Sequence, residues 1–175
     1  MLPSAGIRHD GEARWAGHRS RKPTHGTKAH VATDQGSTPA LNGLIRGVEV
    51  TTANIHDAAE LGAILPDAPG DVLGDGAFSG RPAERAITAR GGRPRTVWTS
   101  ICGSRPEALA RLQAHNAEVS RVRGRIEKVF GTMKRSYGLR RMRWLGLARA
   151  GLQVRLAAMA CNLRRSWRLL AAVPA

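Results

Sequence analysis

Apolar residues recur mostly three or four positions apart between Ser120 and Lys134. This spacing predicts an amphipathic helix that turns one apolar stripe towards the core. The stripe consists of Val122, Ile126, Val129, Phe130 and Met133. Arg123, Glu127 and Lys134 follow at intervals of four and seven residues, so at about 100° per residue they line up on a second face. The predicted helix therefore presents one carboxylate between two cations.

Alternating polarity upstream of this helix predicts two β-strands, in residues 24–34 and 44–52. Gly, Ser, Pro and Asn residues between them indicate a turn, so the two strands form an antiparallel pair. His30 lies in the first strand. Its two interpretations are a structural histidine, which is the commoner case, and a ligand.

A short apolar strand at Val72 and Leu73 ends next to Asp75, which lies between two glycines. Asp75 is either a turn residue or a functional carboxylate, because ligand-binding residues gather at the carboxyl ends of strands in α/β sheets. Helices are predicted for residues 58–65, 81–90, 106–136 and 147–170, with a short strand within 94–100. Asn54 and Asp57 are candidate caps of the first helix, and Gly124 is a candidate break in the third.

The 175 residues carry a formal net charge of +15, and the calculated pI is about 11.6. The length fits one domain with a core of its own, and the charge indicates a polyanionic partner. A membrane span is disfavoured because Arg149 and Arg155 interrupt the most apolar stretch. Cys102 and Cys161 have no metal-site spacing, which favours reduced thiols in a cytosolic protein.

The charge is concentrated in the last third of the chain. Residues 121–168 contain twelve Arg and two Lys against a single acid, Glu127. Arg suits forked contacts to phosphate, which give affinity but little sequence information. The candidate phosphate-binding residues are Arg123, Lys134, Arg140, Arg141 and Arg143. An RNA-binding or ribosome-associated protein would also explain the charge, but not the motifs.

Glu127 has two interpretations, a surface ion pair with Arg123 and a metal-binding carboxylate. The pattern R-x3-E-x6-K from Arg123 to Lys134 resembles the signature around the last acidic residue of insertion-sequence transposases of the DDE type. T-x-A-N-x-H-D in residues 51–57 and G-D-G-A-F in residues 74–78 resemble the same family in the same order. Ser120 departs from the pattern, which has Tyr at that position.

The resemblance implies a ribonuclease H-like fold, an α/β arrangement in which helices flank a mixed sheet with its first strand in the centre. It also implies a catalytic set of Asp, Asp and Glu that holds two Mg²⁺ or Mn²⁺ ions, of which Asp75 matches the second residue and Glu127 the third. Both are therefore the expected catalytic and metal-binding residues. Arg123 and Lys134 would hold phosphate or orient Glu127.

The string that carries the first Asp in that family is absent from this sequence. The expectation is therefore an N-terminally truncated catalytic domain without its central strand, in which residues 1–23 form a flexible basic arm and residues 24–175 the partial domain. The implied function is DNA transposition by metal-dependent transesterification. The alternative is a catalytically dead, DNA-binding remnant, so the sequence leaves open whether the chain is an enzyme.

The expected partners are DNA, as transposon ends and target, and a second copy in a homodimer; a membrane partner is not expected. The resemblance implies a cytoplasmic location at the bacterial nucleoid.

Overall fold

The computed structural model describes residues 10–17, 22–35, 43–98 and 105–171, together with the backbone of residues 2–3. The strands are β1 (Leu2–Pro3), β2 (Arg14–Ala16), β3 (Thr24–Thr33), β4 (Ile45–Thr52), β5 (Asp71–Gly74) and β6 (Arg93–Thr96). The helices are α1 (Leu61–Ile64), α2 (Arg81–Ala89), α3 (Pro106–Ser136) and α4 (Leu147–Ala171), and two 3₁₀ turns cover Asp57–Glu60 and Gly76–Phe78. The elements predicted from periodicity are confirmed, with small shifts at their ends.

The first sheet is built around β3. It pairs antiparallel with β4, from Thr27 opposite Thr52 to Thr33 opposite Ile45, as the alternating pattern predicts. Strand β2 pairs antiparallel with the beginning of β3, and β1 pairs antiparallel with Gly26 and Thr27. Because Thr27 pairs with both Leu2 and Thr52, β1 lies on the edge of β3 opposite β4.

The second sheet consists of β5 and β6, which run parallel and are joined by α2. In the described residues these two strands form a sheet of their own, whereas the resemblance implies one continuous mixed sheet. A cleft of ≈ 560 Å³ lies between β3 and β5, and α1 and α3 contribute to its walls. The structure is thus a mixed α/β arrangement in two sheets.

Helix α3 is continuous through Gly124, so the candidate break there is wrong. Its apolar stripe enters the main core, where Val129 and Met133 are buried with Val31 and Val50 of the sheet. Helix α4 covers the same core and packs against β4. The Asn162 side chain clips it to that strand: Ile45 N donates to Asn162 Oδ1 over 2.9 Å, and Asn162 Nδ2 donates to Ile45 O over 2.8 Å.

Two local features differ from expectation. The His56 side chain accepts a hydrogen bond from Ala58 N and caps the first 3₁₀ turn, so neither Asn54 nor Asp57 is the cap. Within the predicted flexible arm, Arg14–Ala16 forms β2 and Asp10 is buried.

Much of the turn predicted between β3 and β4 lies in residues 36–42, outside the described residues. No helix in the described part of the chain is both long and apolar enough to cross a bilayer.

Candidate functional site

Asp75 follows the last residue of β5 and begins the 3₁₀ turn Gly76–Phe78. Its Oδ1 accepts a hydrogen bond from Ala77 N over 2.9 Å, which holds the carboxylate at the strand end. Gly74 allows this turn to close, because a Cβ there would lie 2.8 Å from Phe78 Cβ. The Asp75 carboxylate therefore acts as a local cap and is still about half exposed.

Arg123 brings the two predicted carboxylates together. Its Nη1 lies 3.6 Å from Asp75 Oδ2, and its Nη2 lies 3.8 Å from Glu127 Oε1. Helix α3 passes β5 closely enough for this contact, although Asp75 and Glu127 are 52 positions apart in the sequence. The Glu127 side chain is 69% exposed, whereas that of Arg123 is 34% exposed. The guanidinium thus lies between two accessible carboxylates.

A connector, residues 137–146, leads from α3 to α4 and displays three of the predicted phosphate-binding residues. Arg140, Arg141 and Arg143 are exposed, whereas Leu139 and Met142 are buried in the main core. The two buried residues anchor the connector, and the arginines between and after them point to solvent. Lys134 lies in the last turn of α3, where a cation is favourable next to the helix C-terminus.

Gln153 of α4 fixes the backbone of the connector. Its Oε1 accepts a hydrogen bond from Arg143 N over 2.9 Å, and its Nε2 donates one to Arg141 O over 3.1 Å. The Gln153 side chain is buried, so water competes little for these bonds. The position of the connector arginines therefore depends on a residue that sequence reasoning did not select.

Asp75, α3, the connector and Gln153 all lie in the part of the sequence that matches one protein family. A family model described as the transposase DDE domain matches residues 4–163. The chain belongs to the transposase DDE domain family. No solved structure matches it.

Transposases of this family generally use divalent metal ions. The carboxylates of Asp75 and Glu127 are hard oxygen donors of the right chemistry for such ions. Among the described residues, however, no group of three or more His, Cys, Asp and Glu side chains could hold a metal. The donor type of this transposase domain fits the cation, but the number of donors that the described residues bring together does not.

A partly buried network next to this site was not predicted from the sequence. His30 Nδ1 lies 3.1 Å from Asp57 Oδ1, and His30 Nε2 lies 2.8 Å from Thr51 Oγ1. Lys28 Nζ lies 3.3 Å from the same Asp57 oxygen and donates to Ile55 O. The hydrogen bond from His30 lowers the pKa of Asp57 to about 2, with help from Lys28 and against partial burial.

This network holds the T-x-A-N-x-H-D motif in place. The 3₁₀ turn at Asp57–Glu60 lies next to the turn at Gly76–Phe78 that follows Asp75. His30 is itself buried, with both ring nitrogens in contact with polar partners, so the structural interpretation of this histidine fits its surroundings. The sequence signal for this network was the spacing of Lys28 and His30. Residues two positions apart in a strand lie on the same face, so both side chains can reach one carboxylate.

The segment Asp10–Ala13 is tied to the beginning of α4. Asp10 Oδ2 accepts a hydrogen bond from Gly146 N over 3.2 Å, and Glu12 accepts one from Leu147 N. Carboxylates are favourable at a helix N-terminus, where backbone N–H groups lack partners within the helix.

Of the two cysteines, Cys161 is a buried free thiol, and Cys102 lies outside the described residues.

Proposed function

We propose that this transposase domain binds DNA along α3 and the connector, and that Asp75 and Glu127 are two of the three carboxylates used for DNA strand cleavage and transfer. The convergence of both acids on Arg123 carries the proposal. Surface acids on separate elements have no general reason to meet, and here they meet beside the most basic part of the chain.

The DNA-binding surface in this proposal is called the basic surface. Its members are Arg123, Lys134, Arg140, Arg141 and Arg143. Arg140, Arg141 and Arg143 belong to a connector whose backbone the core and Gln153 hold in a fixed conformation, so little backbone entropy is lost on binding. Contacts of this kind bind the phosphate backbone of DNA with little regard to sequence.

The third carboxylate would come from a further strand in the cleft between β3 and β5. In the described residues, Lys28 to Thr33 of β3 pair with β4 on one side and with no strand on the other. Strand β5 likewise pairs only with β6, so its other edge is also unpaired. Unpaired strand edges readily accept another strand. A strand antiparallel to β3 and in line with β1 would run along this edge of β3.

Arg123 supports this placement of a third acid. It lines the cleft, and its buried Nε lacks a hydrogen-bond partner among the described residues. A carboxylate or carbonyl oxygen from a strand in the cleft would supply the missing acceptor. In this proposal the described part of the chain therefore holds an incomplete site, and the added strand completes it.

A DNA-binding remnant without cleavage activity is the second candidate function. It is favoured by the two-carboxylate site, since the described residues bring no third acid to Arg123. Both candidates bind DNA, and only cleavage separates them. The same site therefore has to be tested twice, once for binding and once for chemistry.

DNA binding is tested by fluorescence anisotropy of a labelled duplex over a range of salt concentrations. Arg140→Ala with Arg141→Ala should weaken binding and reduce the slope of log affinity against log salt by about 0.9 for each phosphate that is no longer neutralised. Arg81→Ala with Arg85→Ala, two exposed arginines on α2, removes the same charge elsewhere and is the control. Equal effects of the two pairs would refute the basic surface, and preference for RNA in competition would support the RNA-binding alternative.

Cleavage is tested with supercoiled plasmid and Mn²⁺. If the chain is active, Asp75→Ala and Glu127→Ala should each abolish nicking while Glu118→Ala, an exposed acid on the same helix, does not. Unchanged nicking in the first two variants would refute the site assignment. No nicking by the unmodified chain, together with intact DNA binding, would mean that the described residues alone bind DNA without cleaving it, as the remnant does.

A further inference from the structure

We propose that the outer face of α4 is a docking surface for an acidic amphipathic helix. This face carries an unbroken row of large apolar side chains that are between 49% and 72% exposed. The row, here called the α4 stripe, consists of Leu152, Leu156, Met159, Leu163, Trp167 and Leu170.

The stripe is straight and runs along the helix. Successive members are three or four residues apart, and at about 100° per residue all six fall within an arc of roughly 80°. The distance from Leu152 to Leu170 is about 27 Å at 1.5 Å per residue. Five turns of one helix face are therefore apolar and accessible.

A different face of α4 already forms part of the main core. Val154, Ala157 and Cys161 are buried there and point away from the stripe, roughly opposite it on the helical projection. Packing inside the domain therefore explains only one of the two apolar faces. Nothing in the described part of the chain covers the second one.

Single exposed apolar residues are common on protein surfaces, but a contiguous row of this size marks an interaction site. The composition of the stripe also fits one. Trp, Leu and Met side chains bury large areas on docking, and aromatic residues and Met are enriched in interfaces.

The charges around the stripe identify the kind of partner. Helix α4 has five arginines and no Asp or Glu. Arg149 and Arg155 lie on opposite sides of Leu152, each about 60° from it on the helical projection, so Arg149 is at one edge of the stripe and Arg155 lies beyond the other. Arg155 pairs with Glu49 over 3.4 Å, whereas Arg149 has no ion-pair partner in the described residues.

A helix with its own apolar row at the same spacing and with Glu or Asp beside it would satisfy both the stripe and its arginines. A second copy of α4 would match the apolar row but would add no acid, because α4 contains no Asp or Glu, so Arg149 would face further arginines rather than carboxylates, which is unfavourable. Duplex DNA would compensate the arginines but has no apolar face for the stripe. The acidic amphipathic helix is the partner that fits both features.

The test uses a fluorescein-labelled helical peptide of roughly 20 residues. It has leucines at the spacing of the stripe and glutamates on both flanks, and a matched peptide has lysines in place of the glutamates. Anisotropy with the full chain should give at least about tenfold tighter binding of the glutamate peptide. Leu163→Asp should weaken that binding by about tenfold or more, whereas Leu109→Asp, an exposed leucine on α3, should not change it.

Equal binding of the two peptides, absence of binding, or unchanged binding by the Leu163→Asp variant would overturn the proposal. A concentration-dependent dimer that Leu163→Asp disrupts would also overturn it, because the stripe would then serve a second copy. Duplex affinity of the Leu163→Asp variant is measured in parallel. It should equal that of the unmodified chain, so a failure of this proposal is distinguishable from a failure of the basic surface.

Discussion

Arg123 Nη1 lies 3.6 Å from Asp75 Oδ2, which links the middle of α3 to the end of β5. The same guanidinium also reaches Glu127, so a single cation lies against two carboxylates. The three side chains together carry a net charge of −1, which loss of Arg123 would make −2. This arrangement determines how substitutions there should affect DNA binding.

Arg123→Ala should weaken duplex binding by about 1–2 kcal/mol, because it removes a cation from the basic surface and leaves two acids near the phosphates. The measurement is anisotropy at fixed low salt. Adding Asp75→Asn and Glu127→Gln to Arg123→Ala should restore much of the affinity. Arg85→Ala is the control for loss of one positive charge, and an effect as large as that of Arg123→Ala would contradict the prediction.

Gln153→Ala should lower the free energy of unfolding by about 1–3 kcal/mol, because the connector N–H and C=O groups that it satisfies are left without their partners. Urea denaturation measures this change. The connector arginines should also lose their fixed position, so duplex affinity should fall although no charge has been removed. Gln113→Ala, an exposed glutamine on α3, should change stability by less than about 0.5 kcal/mol.

Asp57→Asn should lower the free energy of unfolding by about 1 kcal/mol at neutral pH. This is less than the full pKa shift implies, because the carboxylate is partly exposed to solvent. The pKa of Asp57 falls from 3.8 to about 2 on folding, chiefly through the His30 hydrogen bond. Its contribution to stability is therefore complete above pH 3.8 and is lost as the pH falls through about 2. Urea midpoints for the variant and the unmodified chain should converge in that window.

The control for this pH dependence is Asp67→Asn. Asp67 pairs with Arg90 over 2.9 Å, but its side chain is 93% exposed, so the pair contributes little. The difference between this variant and the unmodified chain should stay small at every pH. A difference that is as large as that of Asp57→Asn and vanishes in the same window would contradict the role given to His30.

Gly74→Ala should destabilise the domain by about 1–3 kcal/mol, because the new Cβ would lie 2.8 Å from Phe78 Cβ. The displaced turn carries Asp75, so any Mn²⁺-dependent nicking should fall as well. Thermal unfolding followed by circular dichroism gives the stability change.

Gly124→Ala is the matched control for a glycine substitution. Apart from its chain neighbours and the backbone of the helix itself, no atom of the described residues lies within 4 Å of the added Cβ, and Gly124 is in the middle of α3. The substitution should stabilise the domain by about 0.5–1 kcal/mol through helix propensity. A loss of stability there would mean that α3 is not continuous at this position.

The strands and helices were predictable because their apolar positions are periodic within the element itself. The encounter of Asp75 with Glu127 followed from family resemblance, not from spacing, since only the packing of α3 against β5 brings them together. Asp57 shows why local reasoning fails. Asp is a favourable cap residue, so the local sequence favours Asp57 at this position. In the structure, however, Lys28 and His30 of β3 bind its carboxylate, and His56 caps the turn instead.

The connector and α4 were harder to predict for a different reason. Alternation at Leu139 and Met142 occupies only a few residues, too few for a reliable period, and the Gln153 clamp acts over ten and twelve positions. The periodicity predicts a helix over residues 147–170 but does not indicate which of its faces is buried. A helix that is apolar on two opposite faces has no single direction of polarity, so the sequence pattern does not separate its inner from its outer side.

The Asn162 clip on Ile45 has a consequence for biosynthesis. The two residues are 117 positions apart, so β4 is made long before the amide that caps its edge leaves the ribosome. At synthesis rates of about 5–20 residues per second, the β3–β4 pair remains without α4 for roughly 5–25 s. During that time its apolar face is open to contact with other nascent chains, which makes this segment the part of the protein most exposed to misassociation before α4 emerges.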